Sequence, residues 1–408
     1  MTVKSFIERD CVIAGGGPAG MVLGYLLARR GLRVTVLEKH GDFLRDFRGD
    51  TVHPSTVTLL GELGLREKFL ELPLTRLSTL DAVVDGQRIT FVDFGSLPAP
   101  DNFLVLAPQW DFLNFLARET AAFPNFELRM LTEASGLLIE NDKVCGVQAR
   151  TSDGGLEIRA PLTVAADGRS STLRAAAGLT PEGFGVPIDV LWFNLPKPPN
   201  PPPVTLGYIS AQGMVLTIDR GDRYQSGMVI KKGGFDELRA SEVGALQTRI
   251  TAAAPFLRPV VGTLTDWDQV KLLSVQINRL RRWHRPGFIA IGDAAHAMSP
   301  MFGVGVNFAI QDAVALANAI AEDLATGTAP TEKLARVQRR REKPVKIMQR
   351  LQRNGHRVLL RATTGNRVAP RWLVVLLRAA SPVLRPITAR FVGIGILPEH
   401  VNRPEHKH

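Results

Sequence analysis

The chain has 408 residues, 45% of them hydrophobic and 22% charged, and a formal net charge of +11. That length buries at least one large core and suggests two or three domains. The composition is ordinary for a soluble globular protein, and no apolar run reaches membrane-spanning length. Its two cysteines, Cys11 and Cys145, form neither a Cys-x-x-Cys pair nor a metal pattern. Both adjoin apolar stretches, so buried thiols in a reducing compartment are expected, and no metal. The first ten residues, MTVKSFIERD, are charged and lack an apolar core, so no signal peptide and a cytoplasmic protein are expected.

Residues 12–38 read VIAGGGPAGMVLGYLLARRGLRVTVLE. Val12, Ile13 and Ala14 suit a short buried parallel strand. Gly15, Gly17 and Gly20 fit a G-x-G-x-x-G turn: a tight bend, close approach to a pyrophosphate, and close helix–strand packing. Pro18 and Ala19 open a helix to about Arg30, whose N-terminal N–H groups favour phosphate. Gly31 stops it, and Arg33 to Leu37 form a second strand ending at Glu38, followed by Lys39. A carboxylate at that spacing suits a ribose diol. The pattern reads as a dinucleotide site, either NAD or FAD.

Phe47-Arg48-Gly49-Asp50 follows, with His53 and Pro54 close behind, and then Gln109-Trp110-Asp111-Phe112-Leu113. Leu162 to Ala165 is an apolar strand leading into Ala166-Asp167-Gly168-Arg169-Ser170-Ser171 and Arg174. Alone, Asp-Gly is first of all a turn dipeptide. The PKPPNPPP run at 196–203 is too proline-rich for a central strand. Gln225 to Ile230 alternates as in an antiparallel sheet. Phe288 to Ile291 is a strand ending at Gly292-Asp293; Pro300, Gly303, Gly305, Val306 and Asn307 then open an amphipathic helix.

Taken together and in this order, the three segments at 12–38, 164–174 and 291–312 resemble the FAD-dependent monooxygenases of the para-hydroxybenzoate hydroxylase type, from the N-terminus to about residue 320. The resemblance implies noncovalent FAD, with Asp293 on the ribityl chain and the helix start at Gly303–Asn307 against the pyrimidine edge. A helix N-terminus there would stabilise the charge of reduced flavin. It places Asp167 near both FAD and the path of the nicotinamide donor, and Arg48 and Gln109 on the flavin. Pro300 and Gly303 become positioning groups at the reactive flavin edge. His296 is expected to hold its loop, His53 is left outside the site, and no general base is named. Val304 departs from the Gln common in relatives.

The implied reaction uses NADH or NADPH and O2 to hydroxylate or epoxidise a small, aromatic or polycyclic substrate through a C4a-hydroperoxyflavin. The donor, lacking a second Rossmann domain, would bind transiently. The implied fold is α/β. A Rossmann-like FAD-binding domain (1–70, 101–177 and 278–325) carries an inserted antiparallel β-sheet substrate domain (71–100 and 178–277) and a helical, basic C-terminal extension (326–408). A tryptophan-type halogenase is disfavoured by the absence of a W-x-W-x-I-P motif. A flavin-dependent reductase of an isoprenoid or lipid-like substrate and a non-catalytic flavin-binding protein stay as alternatives.

Residues 331–408 hold eighteen Lys and Arg against four Glu, a balance of +14. Lys346, Arg350, Arg353, Arg357 and Arg361 form one helical stripe, with Ile347, Met348, Leu351 and Val358 on another face. Such a stripe can meet an anionic membrane peripherally or stay a solvated face of a packed helix. No nucleic-acid recognition fold is apparent.

Overall fold

Five short strands, Cys11–Ala14, Val34–Leu37, Phe126–Arg129, Leu162–Ala165 and Phe288–Ala290, pair in parallel. In space their order is Phe288–Ala290, Leu162–Ala165, Cys11–Ala14, Val34–Leu37, Phe126–Arg129, with His284–Arg285 added antiparallel at one edge. The structure is a computed structural model that describes residues 5–44, 51–202, 207–362 and 382–402. Helices cover both faces of such a sheet, so the central strands are buried throughout and read as largely apolar runs, with Thr35 and Thr163 the polar members. Helix Pro18–Ala28 packs against helix Gly305–Ala325. The stretch Met301–Ala325 is long and apolar enough to cross a membrane, yet 78% of its apolar window is buried in the protein. It is a core helix, and the fold is α/β with a Rossmann-like sheet.

A second sheet of seven strands runs Lys271–Leu273, Ile188–Pro196, Arg223–Lys231, Gly213–Asp219, Gly207–Ser210, Thr79–Val84, Gln87–Asp93. All its pairings are antiparallel except Gly207–Ser210 with Thr79–Val84. Alternation along Ile188–Pro196 sends Leu191, Phe193 and Leu195 into one core and Val190 and Trp192 into another. The first core is closed by helix Val243–Ala253 through Leu246 and Ile250. The strand ends at Pro196, where the proline run begins.

Helix Thr331–Ala362 departs from the sequence reading in which face it buries. Ile347, Leu351 and Val358 are exposed, as are Lys346, Arg350 and Arg357, while Met348 is buried. The packed face is largely polar: Arg341, Gln349, Gln352 and His356 are all at most 2% exposed. Periodicity located the helix but not its orientation, because buried amides with partners pack as well as apolar groups. Cys11 is fully buried as expected, whereas Cys145 is only partly so.

The glycine turn gives a direct test of backbone packing. A Cβ at Gly20 would lie 2.0 Å from the Gly15 carbonyl oxygen, whereas one at Gly17 meets nothing within 4 Å. Gly20→Ala should therefore cost at least the ~1–3 kcal/mol of an overpacked core, and Gly17→Ala well under 1 kcal/mol. Urea midpoints of the two variants check this, and equal losses would contradict it.

Candidate active site

The three sequence segments meet at the carboxyl ends of the central strands. Gly15 has φ +107, and a Cβ there would sit 2.3 Å from the Ala166 carbonyl oxygen, so the first and second segments touch through backbone. Gly292 faces both helices: a Cβ would lie 3.4 Å from Cβ of Ala19 and 3.2 Å from Cβ of Ala309. Arg169 bonds Asp293 at 3.2 Å, and Arg174 donates to the carbonyls of Ala294 and Arg169 at 3.0 Å each. Thus the Asp-Gly and Gly-Asp loops are tied together beside the glycine turn.

At that turn Glu38 accepts from the N–H of Gly16 at 3.1 Å and of His40 at 3.0 Å. Its carboxylate is half-buried, while Lys39 is exposed. Pro18 and Ala19 begin the helix, as expected. Gln109 is the first residue of helix Gln109–Thr120. Asp167 turns its carboxylate inward, onto the Ser171 hydroxyl and, at 3.2 Å, the Leu173 N–H. Burial raises its pKa, and those hydrogen bonds offset part of the rise. Arg48 lies outside the described residues.

Helix Gly305–Ala325 starts just beyond Pro300 and Gly303. Its first N–H groups, from Gly305, Val306 and Asn307, have no carbonyl within the helix to bond. The Asn307 side chain is buried, and its amide oxygen accepts from Ser55 at 3.0 Å and Thr56 at 2.7 Å. The Asn307 amide oxygen is therefore already engaged within the chain. Phe302 adopts φ +69, a conformation that strains a bulky residue.

Sequence reasoning missed what holds this loop. The Gly303 carbonyl accepts from the Thr51 hydroxyl at 2.8 Å and faces Nε2 of His53 at 3.1 Å. Nδ1 of His53 faces the Val392 carbonyl at 2.9 Å, so a histidine left outside the site links the loop to the C-terminal segment. From the other side, the Gln352 amide donates to the carbonyls of Ser299 at 3.1 Å and Met301 at 3.0 Å, and accepts from the Ser299 N–H at 3.2 Å. His356 meets the Ser299 hydroxyl at 2.8 Å, and Gln349 donates to the carbonyls of Asn278 at 2.8 Å and Ala297 at 3.1 Å. The spacing Gln349, Gln352, His356 marks one helix face, a polar pattern that the sequence reading did not single out.

Beneath the loop lies a buried charge cluster. Asp312, with no exposure, accepts from Nε2 of His296 at 2.6 Å, the Gly292 N–H at 3.0 Å and Nε of Arg341 at 3.0 Å. Burial alone would raise the Asp312 pKa, but His296, Arg341 and the Gly292 N–H hold it below the ordinary value. Arg341 also donates to the Leu397 carbonyl at 3.3 Å. His296 holds its loop by this means.

These environments make stability depend on pH. Burial holds His356 down to about 4 from 6.5, so the unfolded chain takes up its proton first. Stability should fall as pH drops from about 6.5 towards 4, and lowered His53 adds in the same sense. Asp312 acts below that window: its contribution is present above the unfolded pKa and is lost as pH falls through the lower folded value. Urea midpoints at pH 7, 5.5 and 4.5 should decline, and His356→Gln should flatten the slope; a slope unchanged in that variant would contradict the assignment. Asp312→Ala, which leaves buried Arg341 with only the more distant Glu399, at 3.6 Å, should cost up to about 3–5 kcal/mol.

Comparison with known proteins agrees with this geometry. A family model described as an FAD binding domain matches residues 8–351. The chain is 32% identical over 386 residues to the 6-methylpretetramide 4-monooxygenase of Streptomyces rimosus, covering 93% of this chain and 91% of that protein. Four weaker relatives are longer, the chain spanning 61–65% of their length. Among solved structures, an anhydrotetracycline hydroxylase from Streptomyces rimosus superposes with a TM-score of 0.76 at 21% identity, over 98% of this chain and 78% of that one. A p-nitrophenol 4-monooxygenase from Pseudomonas putida gives 0.76 at 21% identity, over 96% and 99%. These two show the fold; the Streptomyces relative and the family model carry the assignment and disfavour the reductase and non-catalytic alternatives. The chain belongs to the FAD-dependent aromatic hydroxylases of the para-hydroxybenzoate hydroxylase type, monooxygenases that use FAD, NADH or NADPH, and O2.

Proposed function

We propose that this monooxygenase hydroxylates a polycyclic aromatic substrate of the kind represented by 6-methylpretetramide. The identity to that relative over nearly the whole chain carries the substrate class. The convergence of Gly15 with Ala166, Arg169 with Asp293, and Gly292 with Ala19 carries the cofactor site.

The residues present fit FAD. The open side of Gly17 leaves room for a pyrophosphate, with Gly15 and Gly20 fixing the turn and Pro18 and Ala19 starting the helix behind it. Glu38, with Lys39 beside it, would take the ribose; Gln109 and Asp293 would take the ribityl portion, and Arg48 the flavin. Asp167 acts through the loop it braces. Gly292 allows the close approach of the two helices. The N–H groups of Gly305, Val306 and Asn307 would stabilise negative charge on the flavin ring. Bound FAD supplies the redox chemistry, accepting hydride from NADH or NADPH and activating O2.

What the chain itself contributes is position and exclusion of water. Gly303 is held by Thr51 and His53, and Ser299 and Met301 on either side of Pro300 by Gln352, so the flavin edge and the substrate would meet a fixed backbone. The same reading divides the chain into an FAD-binding domain (1–70, 101–177, 278–325), a substrate-covering sheet domain (71–100, 178–277) and a basic helical region (326–408). Pairing of Thr79–Val84 with Gly207–Ser210 supports joining the two parts of the middle unit. Tyr208 and Tyr224 pack around Phe256 at ring distances of 4.6 and 6.1 Å, and Tyr25 packs on Phe123 at 5.4 Å. The tyrosines are thus packing groups, and proton removal from the substrate is assigned to none of them.

Two measurements test the reading. Turnover of 6-methylpretetramide under 18O2 should add one labelled oxygen atom to the product; anaerobic turnover that adds hydrogen to a double bond would overturn it. Asp293→Ala should weaken FAD about ten- to a hundredfold, the effect of losing a charge-assisted hydrogen bond of roughly 1.5–3 kcal/mol. Unchanged FAD affinity would remove Asp293 from the site.

A further inference from the structure

A cleft of about 620 Å³ lies on the outer side of helix Thr331–Ala362, next to the hairpin of strands Pro181–Phe184 and Ile277–Leu280. Six cations line it: Arg279 from the hairpin and Arg339, Lys343, Lys346, Arg350 and Arg353 from the helix. The lining carboxylate, Glu342, is matched by Lys346 at 2.8 Å, so one charge is offset, and among the described residues the other five lining cations form no ion pair within the cleft.

Two of these guanidinium groups are built into place. Arg279 donates to the Gln349 amide oxygen at 2.8 Å and stacks 5.0 Å from the centre of the Phe184 ring; Arg353 stacks 5.1 Å from the same ring. Nε of Arg353 is buried with no hydrogen-bond partner among the described residues. Burial lowers the Arg279 pKa, and the Arg353 charge adds to the lowering against Glu342 and Glu182. Like charges crowded on one phenyl ring, in a concavity of ligand size, are matched by a polyanion.

We propose that this cleft binds a pyrophosphate-bearing nucleotide, and that the nucleotide is the nicotinamide donor of the monooxygenase reaction. The inference rests on the monooxygenase reading. The glycine turn at Gly15–Gly20 serves FAD, so the donor's phosphates need another cationic surface. The cleft also adjoins the flavin-edge segment: Gln349 lines it and reaches inward to the Ala297 carbonyl, and Gln352 on the next turn holds Ser299 and Met301. A single helix, about 10–12 Å across, separates the two, so a dinucleotide anchored in the cleft would have to pass around it to reach the flavin edge. The basic stripe, for which the sequence left open a membrane contact or a solvated helix face, is on this geometry one wall of a nucleotide site.

The test uses the FAD-loaded enzyme and NADP+, which does not reduce or oxidise resting flavin. Calorimetric titration should show NADP+ binding that weakens with added salt and is displaced by inorganic pyrophosphate. Lys343→Gln with Arg350→Gln, both solvent-exposed positions, should raise the Kd for NADP+ about tenfold and the KM for NADPH in step. FAD content and kcat at saturating NADPH should stay unchanged. Arg353→Gln should give a further loss, and Arg353→Lys should restore less than the wild-type affinity, because a lysine cannot stack on Phe184 as a guanidinium does. Unchanged NADP+ affinity in the double variant overturns the proposal. So does loss of binding to phosphatidylserine vesicles in that variant without any change for NADP+, which would assign the stripe to a membrane. Loss of FAD from wild type would instead count against the monooxygenase reading itself.

Discussion

A carboxylate with no solvent exposure is stable only if both oxygens are matched, and Asp312 is matched by three groups from two other parts of the chain. His296 and the Gly292 N–H come from the loop after strand Phe288–Ala290, and Arg341 comes from the long basic helix. Arg341 carries the link on to the C-terminal segment at Leu397. Removing one partner weakens the compensation of a fully buried charge, so each of these contacts supports the others. The Gly-Asp loop, the helix that would face the flavin, and the helix outside it therefore form one unit.

That unit explains how a loop of small residues is held still. Between Ala297 and Gly303 the backbone is anchored from opposite sides, by Gln349, Gln352 and His356 on the long helix and by Thr51 and His53 on the first domain. Most of these contacts end on carbonyl oxygens, which fixes backbone position without demanding particular side chains on the loop. Val304 is buried, and none of the hydrogen bonds that anchor the loop involves its side chain. The strained conformation of Phe302 persists in the same frame, because its neighbours on both sides are pinned.

The FAD-binding fingerprints were legible because each is a local consequence of backbone chemistry. Gly15 and Gly20 are needed where carbonyls approach within van der Waals contact, and Glu38 ends a strand beside that turn. The strands were legible as apolar runs, since a parallel sheet buried on both faces leaves no polar alternation. What could not be read were contacts that close only in three dimensions. His53 and Gly303 are 250 residues apart in sequence, and His356 and Ser299 57 apart, so no spacing announces them. The long helix misled for a different reason. Its apolar residues form a visible stripe, but the buried face is the one whose amides find backbone partners, and hydrophobicity does not report that.

The central claim is that the polar face of the long helix fixes the flavin-edge loop closely enough to couple oxygen use to hydroxylation. The direct measurement is the ratio of hydrogen peroxide released to product formed in Gln352→Leu, a change that keeps similar bulk and removes both amide ends. The account predicts full FAD content, little change in the KM for NADPH, and most of the oxygen consumed appearing as peroxide, with partial recovery in Gln352→Asn. A Gln352→Leu enzyme that couples oxygen to product as tightly as wild type would contradict it.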